Sequence, residues 1–173
     1  MNEKLTKKLV ETYPILFKRY GYPPNISCMH WGINCDDGWY DLIDGACKKL
    51  SNIDGANYIR FEQVKEKLGA LRVYMVVNND DYDPMIKRNW FQKSCIGIKR
   101  FFIGTFLIQR FERVWNEAIK IISETERLSE FTCMRCGKVP ASNKYYGMWV
   151  MTLCSECESA ERSKDYGYNN GNS

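Results

Sequence analysis

Apolar residues recur at helical spacing in some segments of the chain and alternate in another, and these segments predict its frame. Trp39, Leu42, Ile43, Ala46, Cys47 and Leu50 share one stripe. A helix is therefore expected from a cap at Asp36 or Asp37 to about Leu50, with Asp41, Asp44 and Lys48 turned outward. Leu71, Val73 and Met75 alternate with Arg72, Tyr74 and Val76, as in a half-buried strand. Glu62 to Leu68 carries good helix formers, which makes that part ambiguous; a β-hairpin over Arg60 to Val77 that turns at Gly69 resolves it. From Thr105 to Ser129 the period is helical again, with Phe111, Val114, Trp115, Ala118, Ile122 and Thr125 on one face. A short helix is expected over Glu3 to Thr12, ending before Pro14. The chain from there through Asn34 reads as irregular, and Met85 to Gly104 shows no defensible period.

An apolar fraction of 45% with 14% aromatics in 173 residues supports a real core and excludes a wholly disordered chain. The start MNEKLTKKLVETYPILF lacks the uninterrupted apolar run and small-residue cleavage site of a signal peptide. The greasiest stretch, Cys95 to Ile108, is interrupted by Lys99 and Arg100 and is shorter than a bilayer span, so no membrane segment is expected. Eight cysteines do not make a disulfide scaffold, because four stand in two CxxC pairs and Cys28, Cys35, Cys47 and Cys95 are scattered. A reducing compartment, the cytoplasm, follows.

The two pairs carry the firmest chemistry. Cys133-Met134-Arg135-Cys136-Gly137 and Cys154-Ser155-Glu156-Cys157 are separated by a segment with room for a hairpin, and Tyr145 or Tyr146 with Trp149, Val150 and Met151 are its strand candidates. Two residues between cysteines aim both sulfurs at one ion, and two such pairs complete the tetrahedron that Zn2+ prefers. Gly137 suits the sharp turn after the second sulfur, and a helix is expected to start near Cys157. Knuckle, hairpin and helix in this order make a treble-clef-like zinc subdomain. Four thiolates leave no open position, so the single ion is expected to be structural. The fold class is thus α+β: a small helix and β-hairpin body over 1–130, the four-cysteine subdomain over 131–164 and a flexible tail over 165–173.

Charge adds a second candidate. The formal net charge is +4, and binding zinc through four thiolates lowers it by about two, so distribution matters more than the total. Between Met85 and Phe111 stand Lys87, Arg88, Lys93, Lys99, Arg100 and Arg110 with no acidic residue, interleaved with Trp90, Phe91, Phe101, Phe102 and Phe106. Lys87, Arg88, Trp90, Phe91, Lys93, Lys99 and Arg100 are the candidate macromolecule-binding residues. They offer phosphate contacts and stacking surfaces for a nucleic acid, or aromatic anchors for a protein; equally, the rings fill a core and the cations rim it. Cys28, His30, Cys35 and Cys47 have spacings that match no compact finger, and packing is the simpler account of them. Asp37, Asp41 and Asp44 could hold magnesium, but read more simply as a capped helix with a solvated face. No paired general acid and base can be named.

CDDGWYDLIDGACKKL at 35–50, FEQVKEKLGALRVYMVV at 61–77, CMRCG at 133–137 and TLCSEC at 152–157 together resemble a family of small uncharacterised phage and prophage proteins. That family carries a "GDGW" helix, a QVKEKFG-LRFY hairpin and terminal CxxC pairs. Gly38, Trp39, Leu42, Ile43 and Cys47 match the first motif. Gln63, Val64, Lys65, Glu66, Lys67, Gly69, Leu71, Arg72 and Tyr74 match the second, while Leu68 and Val73 stand where the family has aromatics. Asn79 through Phe106 is longer than the family pattern. The resemblance supplies no biochemical role; the closed metal site and the lack of a catalytic pair point to noncatalytic binding of a macromolecule, and the phage-like context implies a host cytoplasm and a host protein or protein–nucleic acid complex as partner, including inhibition of a host defence complex. The alternatives are a DNA- or RNA-binding protein and a metal-dependent, phosphate-directed enzyme.

Overall fold

The computed structural model describes residues 1–78 and 90–163, with side chains left undescribed from 90 to 108. Helix α1 spans Glu3–Thr12, started by the Asn2 side chain, which accepts from the Leu5 amide at 2.9 Å. The two-residue strand β1, Ile33–Asn34, and a 3₁₀ turn at Asp37–Trp39 lead into α2, Tyr40–Ser51. Strands β2, Ile59–Lys67, and β3, Ala70–Val77, form the expected hairpin. Helix α3, Trp90–Ser129, runs 40 residues and delivers the chain to the first CxxC pair. Strands β4, Ser142–Tyr146, and β5, Trp149–Leu153, then precede α4, Ser155–Arg162.

The α+β architecture is that read from the sequence, with two corrections. The stretch through Asn34 is not wholly irregular, because β1 pairs parallel with β2, Ile33 opposite Val64, making a three-stranded sheet in the order β1-β2-β3. Helix α3 begins at Trp90 rather than Thr105. Its added part has no proline and is apolar nearly all round in sequence, so no 3.6-residue contrast marks it. On the described part of α3, Val114, Ala118, Ile122 and Thr125 are buried, whereas Trp115 is 41% exposed; the packed face is narrower than the sequence stripe.

The α2 stripe faces inward as expected, with Trp39, Ile43, Ala46, Cys47 and Leu50 buried. The sheet is bent by a bulge between Phe61 and Gln63. There the Phe61 amide donates to the Leu16 carbonyl at 2.8 Å, and the Phe61 ring meets Phe17 edge-on, 5.2 Å between centroids. Glu62, the bulged residue, accepts from the largely buried guanidiniums of Arg19 and Arg60, each at 2.9 Å. The buried core is continuous from Leu9 and Leu16 through Trp39 and Leu71 to Cys133, Met134, Ala141, Leu153 and Cys154, so it crosses the junction between body and cysteine-bearing segment. Among the described residues no helix is long and apolar enough to cross a membrane.

Candidate metal centre

Cys133, Cys136, Cys154 and Cys157 bring their sulfurs within 4.8 Å of one another, with Cys136 and Cys154 at 3.6 Å. Sulfurs on a zinc tetrahedron with bonds of ~2.3 Å stand about 3.8 Å apart, so the cluster fits a metal ion of that size and coordination. Local geometry makes the cluster. The Gly137 amide donates to the Cys133 carbonyl at 2.8 Å and the Cys133 amide to the Lys138 carbonyl at 2.9 Å, closing the knuckle, and Gly137 takes the φ of +78° that this turn requires. Cys154 occupies the N-cap of α4 and Cys157 lies in its first turn, where the helix dipole favours negative charge.

Two opposing effects act on these thiols. Burial pushes Cys133 up, but the amides of Cys154, Cys136 and Arg135 outweigh it and hold this thiol at about 7. Cys157 is raised, first by burial and then by the three neighbouring thiols. A divalent cation held by these four sulfurs would favour their thiolate forms. With four protein sulfurs on one ion, no coordination position is left for water or substrate.

The residues that hold the knuckle in place come from the other end of the chain. The Gly38 amide donates to the Met134 carbonyl at 2.9 Å, and Trp39 Nε1 donates to the Thr132 carbonyl at 2.8 Å. A Cβ on Gly38 would lie 2.3 Å from the Cys133 oxygen and 2.6 Å from the Gly137 nitrogen. The β2–β3 turn docks in the same way on the β4–β5 hairpin, which lies between the two cysteine pairs. Thr152 Oγ1 donates to the Gly69 carbonyl, and a Cβ on Gly69 would stand 2.9 Å from Asn143 Oδ1. Arg135, between the first two cysteines, reaches Asp36 at 3.2 Å and the buried Glu161 of α4 at 3.5 Å. None of these supporting roles was assigned from spacing, although Gly38, Trp39 and Gly69 stand in the motif segments that carried the resemblance.

The other candidates are not drawn together. Cys28 is exposed; Cys35 and Cys47 are buried, and burial pushes the Cys35 thiol up to about 12. His30 Nδ1 lies 2.9 Å from the Tyr22 carbonyl and its ring stacks edge-on with Trp31. Asp37 accepts from the Asn2 amide and side chain, each at 2.7 Å, and Asp44 accepts from the Tyr13 hydroxyl at 3.1 Å, so these carboxylates serve different partners. Among the described residues no other group of three or more His, Cys, Asp or Glu side chains converges. Lys87 and Arg88 lie outside the described residues, and Trp90, Phe91, Lys93, Lys99 and Arg100 lie on α3 within the part whose side chains are not described. No protein-family model matches this chain, and comparison with curated proteins and with solved structures gives no significant match.

Proposed function

We propose that this is a noncatalytic zinc protein that acts by binding a macromolecule, with a host protein as the partner that the phage-family resemblance implies and inhibition of a host defence complex as the outcome. The observation that carries the zinc reading is the four-sulfur cluster, all within 4.8 Å and built on a knuckle and a helix start. Thiolates select Zn2+ over hard cations such as Mg2+ and Ca2+. Metal analysis of the purified chain tests this: one zinc per chain is expected, and a substoichiometric or iron-dominated content would sink it. Cobalt substitution gives the complementary readout, a visible spectrum of tetrahedral thiolate ligation.

A closed structural ion leaves function to the surface. Tyr145, Met148 and Trp149 at the end of the β4–β5 hairpin are 74%, 90% and 74% exposed, a residue set typical of protein interfaces. Nearby cations are ion-paired, Lys138 with Glu156, and Lys144 and Arg162 both with Glu158, so little of the positive charge here is free for phosphates. Affinity capture from host lysate, with and without nuclease, separates the partner classes. One stoichiometric protein retained after nuclease and at high salt supports the reading. Loss of all binding after nuclease transfers the function to nucleic-acid recognition.

A further inference from the structure

The described strand edges are treated unequally. On β3, the outward amides of Leu71 and Val73 are taken by α3 side chains, Ser129 Oγ at 2.9 Å and Glu126 Oε1 at 2.8 Å. On β5, the outward carbonyl of Thr152 accepts from the Met134 amide at 2.9 Å. On the β4 side only the root is covered, where the Ala141 amide donates to the Phe131 carbonyl at 2.8 Å. The register runs from Tyr146 opposite Trp149 to Ser142 opposite Leu153. Its two-residue loop makes Tyr146 and Trp149 a hydrogen-bonded pair, so Asn143 and Tyr145 turn their amides and carbonyls away from β5. Both residues are exposed, and among the described residues no backbone group meets those outward atoms. A lysine often blunts such an edge, but Lys144 is held at 2.7 Å by Glu158 on α4.

We propose that the outer edge of β4 is a self-association site, on which a second copy of this chain lays its own β4 antiparallel, Tyr145 opposite Tyr145, to make a four-stranded sheet in the order β5-β4-β4-β5. Three symmetric registers use the outward residues, and chemistry selects among them. Pairing Asn143 with Asn143 would set Tyr145 against Ala141, whose amide is already bonded to Phe131. Pairing Asn143 with Tyr145 would place Lys144 directly opposite Lys144, a like-charge pair. Pairing Tyr145 with Tyr145 avoids both, sets Lys144 opposite Tyr146, and lines up Val150, Tyr145, Tyr145 and Val150 across one face. Side chains of this size bury about 150–250 Å2 each. Of the exposed side chains only Tyr145 stands at the β4–β4 seam, Trp149 lying on β5 and Met148 in the loop, so the two tyrosines hide about 300–500 Å2, the area of a weak association held mainly by backbone hydrogen bonds. A two-stranded hairpin also gains most from added strands.

Sedimentation velocity of the full zinc-loaded chain, from low micromolar to sub-millimolar concentration, tests this. A concentration-dependent shift from monomer to dimer is expected. Tyr145→Pro removes an amide that makes no bond within its own copy, a position where an edge strand tolerates proline. Losing one such bond from each copy weakens the dimer about thirtyfold. Tyr145→Lys leaves the backbone intact, places like charges opposite each other and weakens the dimer as well. Zinc content identifies which variants remain folded, and those decide. A wild-type monomer throughout the range, which would leave the edge to an extended segment of another protein, overturns the proposal; so does a dimer of unchanged strength in the zinc-retaining variants.

Discussion

Leu68 has φ of +54° with its side chain 69% exposed, and Gly69 follows at +76°. Left-handed backbone at both central residues is the type I′ hairpin turn, which favours Asn-Gly and costs an ordinary L-residue about 1–2 kcal/mol. Leu68→Asn is therefore expected to stabilise the protein by about 1 kcal/mol, read as a higher urea midpoint with an unchanged slope. A lower midpoint would mean that the leucine side chain makes contacts worth more than the relieved strain. At Asp37, hydrogen bonds from the Asn2 amide and side chain hold the carboxyl below its ordinary value, against a smaller opposing effect of burial. A carboxyl lowered by folding contributes stability above its unfolded pKa, and this contribution is lost as pH falls through the lower folded value. Asp37→Asn should thus remove part of the difference in unfolding free energy between neutral pH and about pH 3. An unchanged pH profile in that variant would assign the acid sensitivity to other groups.

The elements meet through glycines at both supports of the cysteine-bearing segment. At Gly38 the start of α2 presses on the knuckle so closely that a methyl group would overlap the Cys133 carbonyl and the Cys136 and Gly137 amides, all backbone atoms that cannot swing aside. Gly38→Ala is expected to destabilise the protein by about 3 kcal/mol and to weaken zinc retention against a competing chelator, because the knuckle must move to make room. Lower stability with unchanged zinc affinity would show that the knuckle holds its shape without this support. Periodicity made α2 and the β2–β3 hairpin legible, since each buries one face only. The CxxC spacing made the cluster legible because tetrahedral thiolate ligation constrains sequence directly. The contact between Gly38 and Cys133 was not legible, because it joins residues far apart in sequence through backbone atoms and leaves no pattern of side chains. Strand β1 escaped for a related reason, being two residues long and defined only by its partner β2. The first half of α3 carried no contrast between faces for a period to show.

At the scale of the molecule, the four-cysteine cluster is part of the core. Cys133 and Cys154 are buried in the same apolar cluster as Trp39, Leu71 and Ile122, and Leu153, the last residue of β5, joins that cluster directly before the third cysteine. A zinc ion that fixed only an appendage would leave the melting of residues 1–130 untouched when removed. Here the Gly38 amide, the Trp39 indole and the Gly69 carbonyl all end on the cysteine-bearing segment, so loss of that segment strips partners from α2 and from the β2–β3 turn at once. A zinc ion that binds the folded arrangement and the unfolded chain far less well would add its binding free energy to the whole cooperative unit, and its removal would subtract it. Chelation is expected to lower the thermal midpoint of the entire chain in one transition, with near-ultraviolet dichroism from the buried tryptophan and far-ultraviolet helix signal lost together. Limited proteolysis of the zinc-free protein should then cut within α2 as readily as between β4 and β5. A stable zinc-free fragment over residues 1–130 would show instead that the body folds alone and that the four cysteines organise only their own neighbourhood.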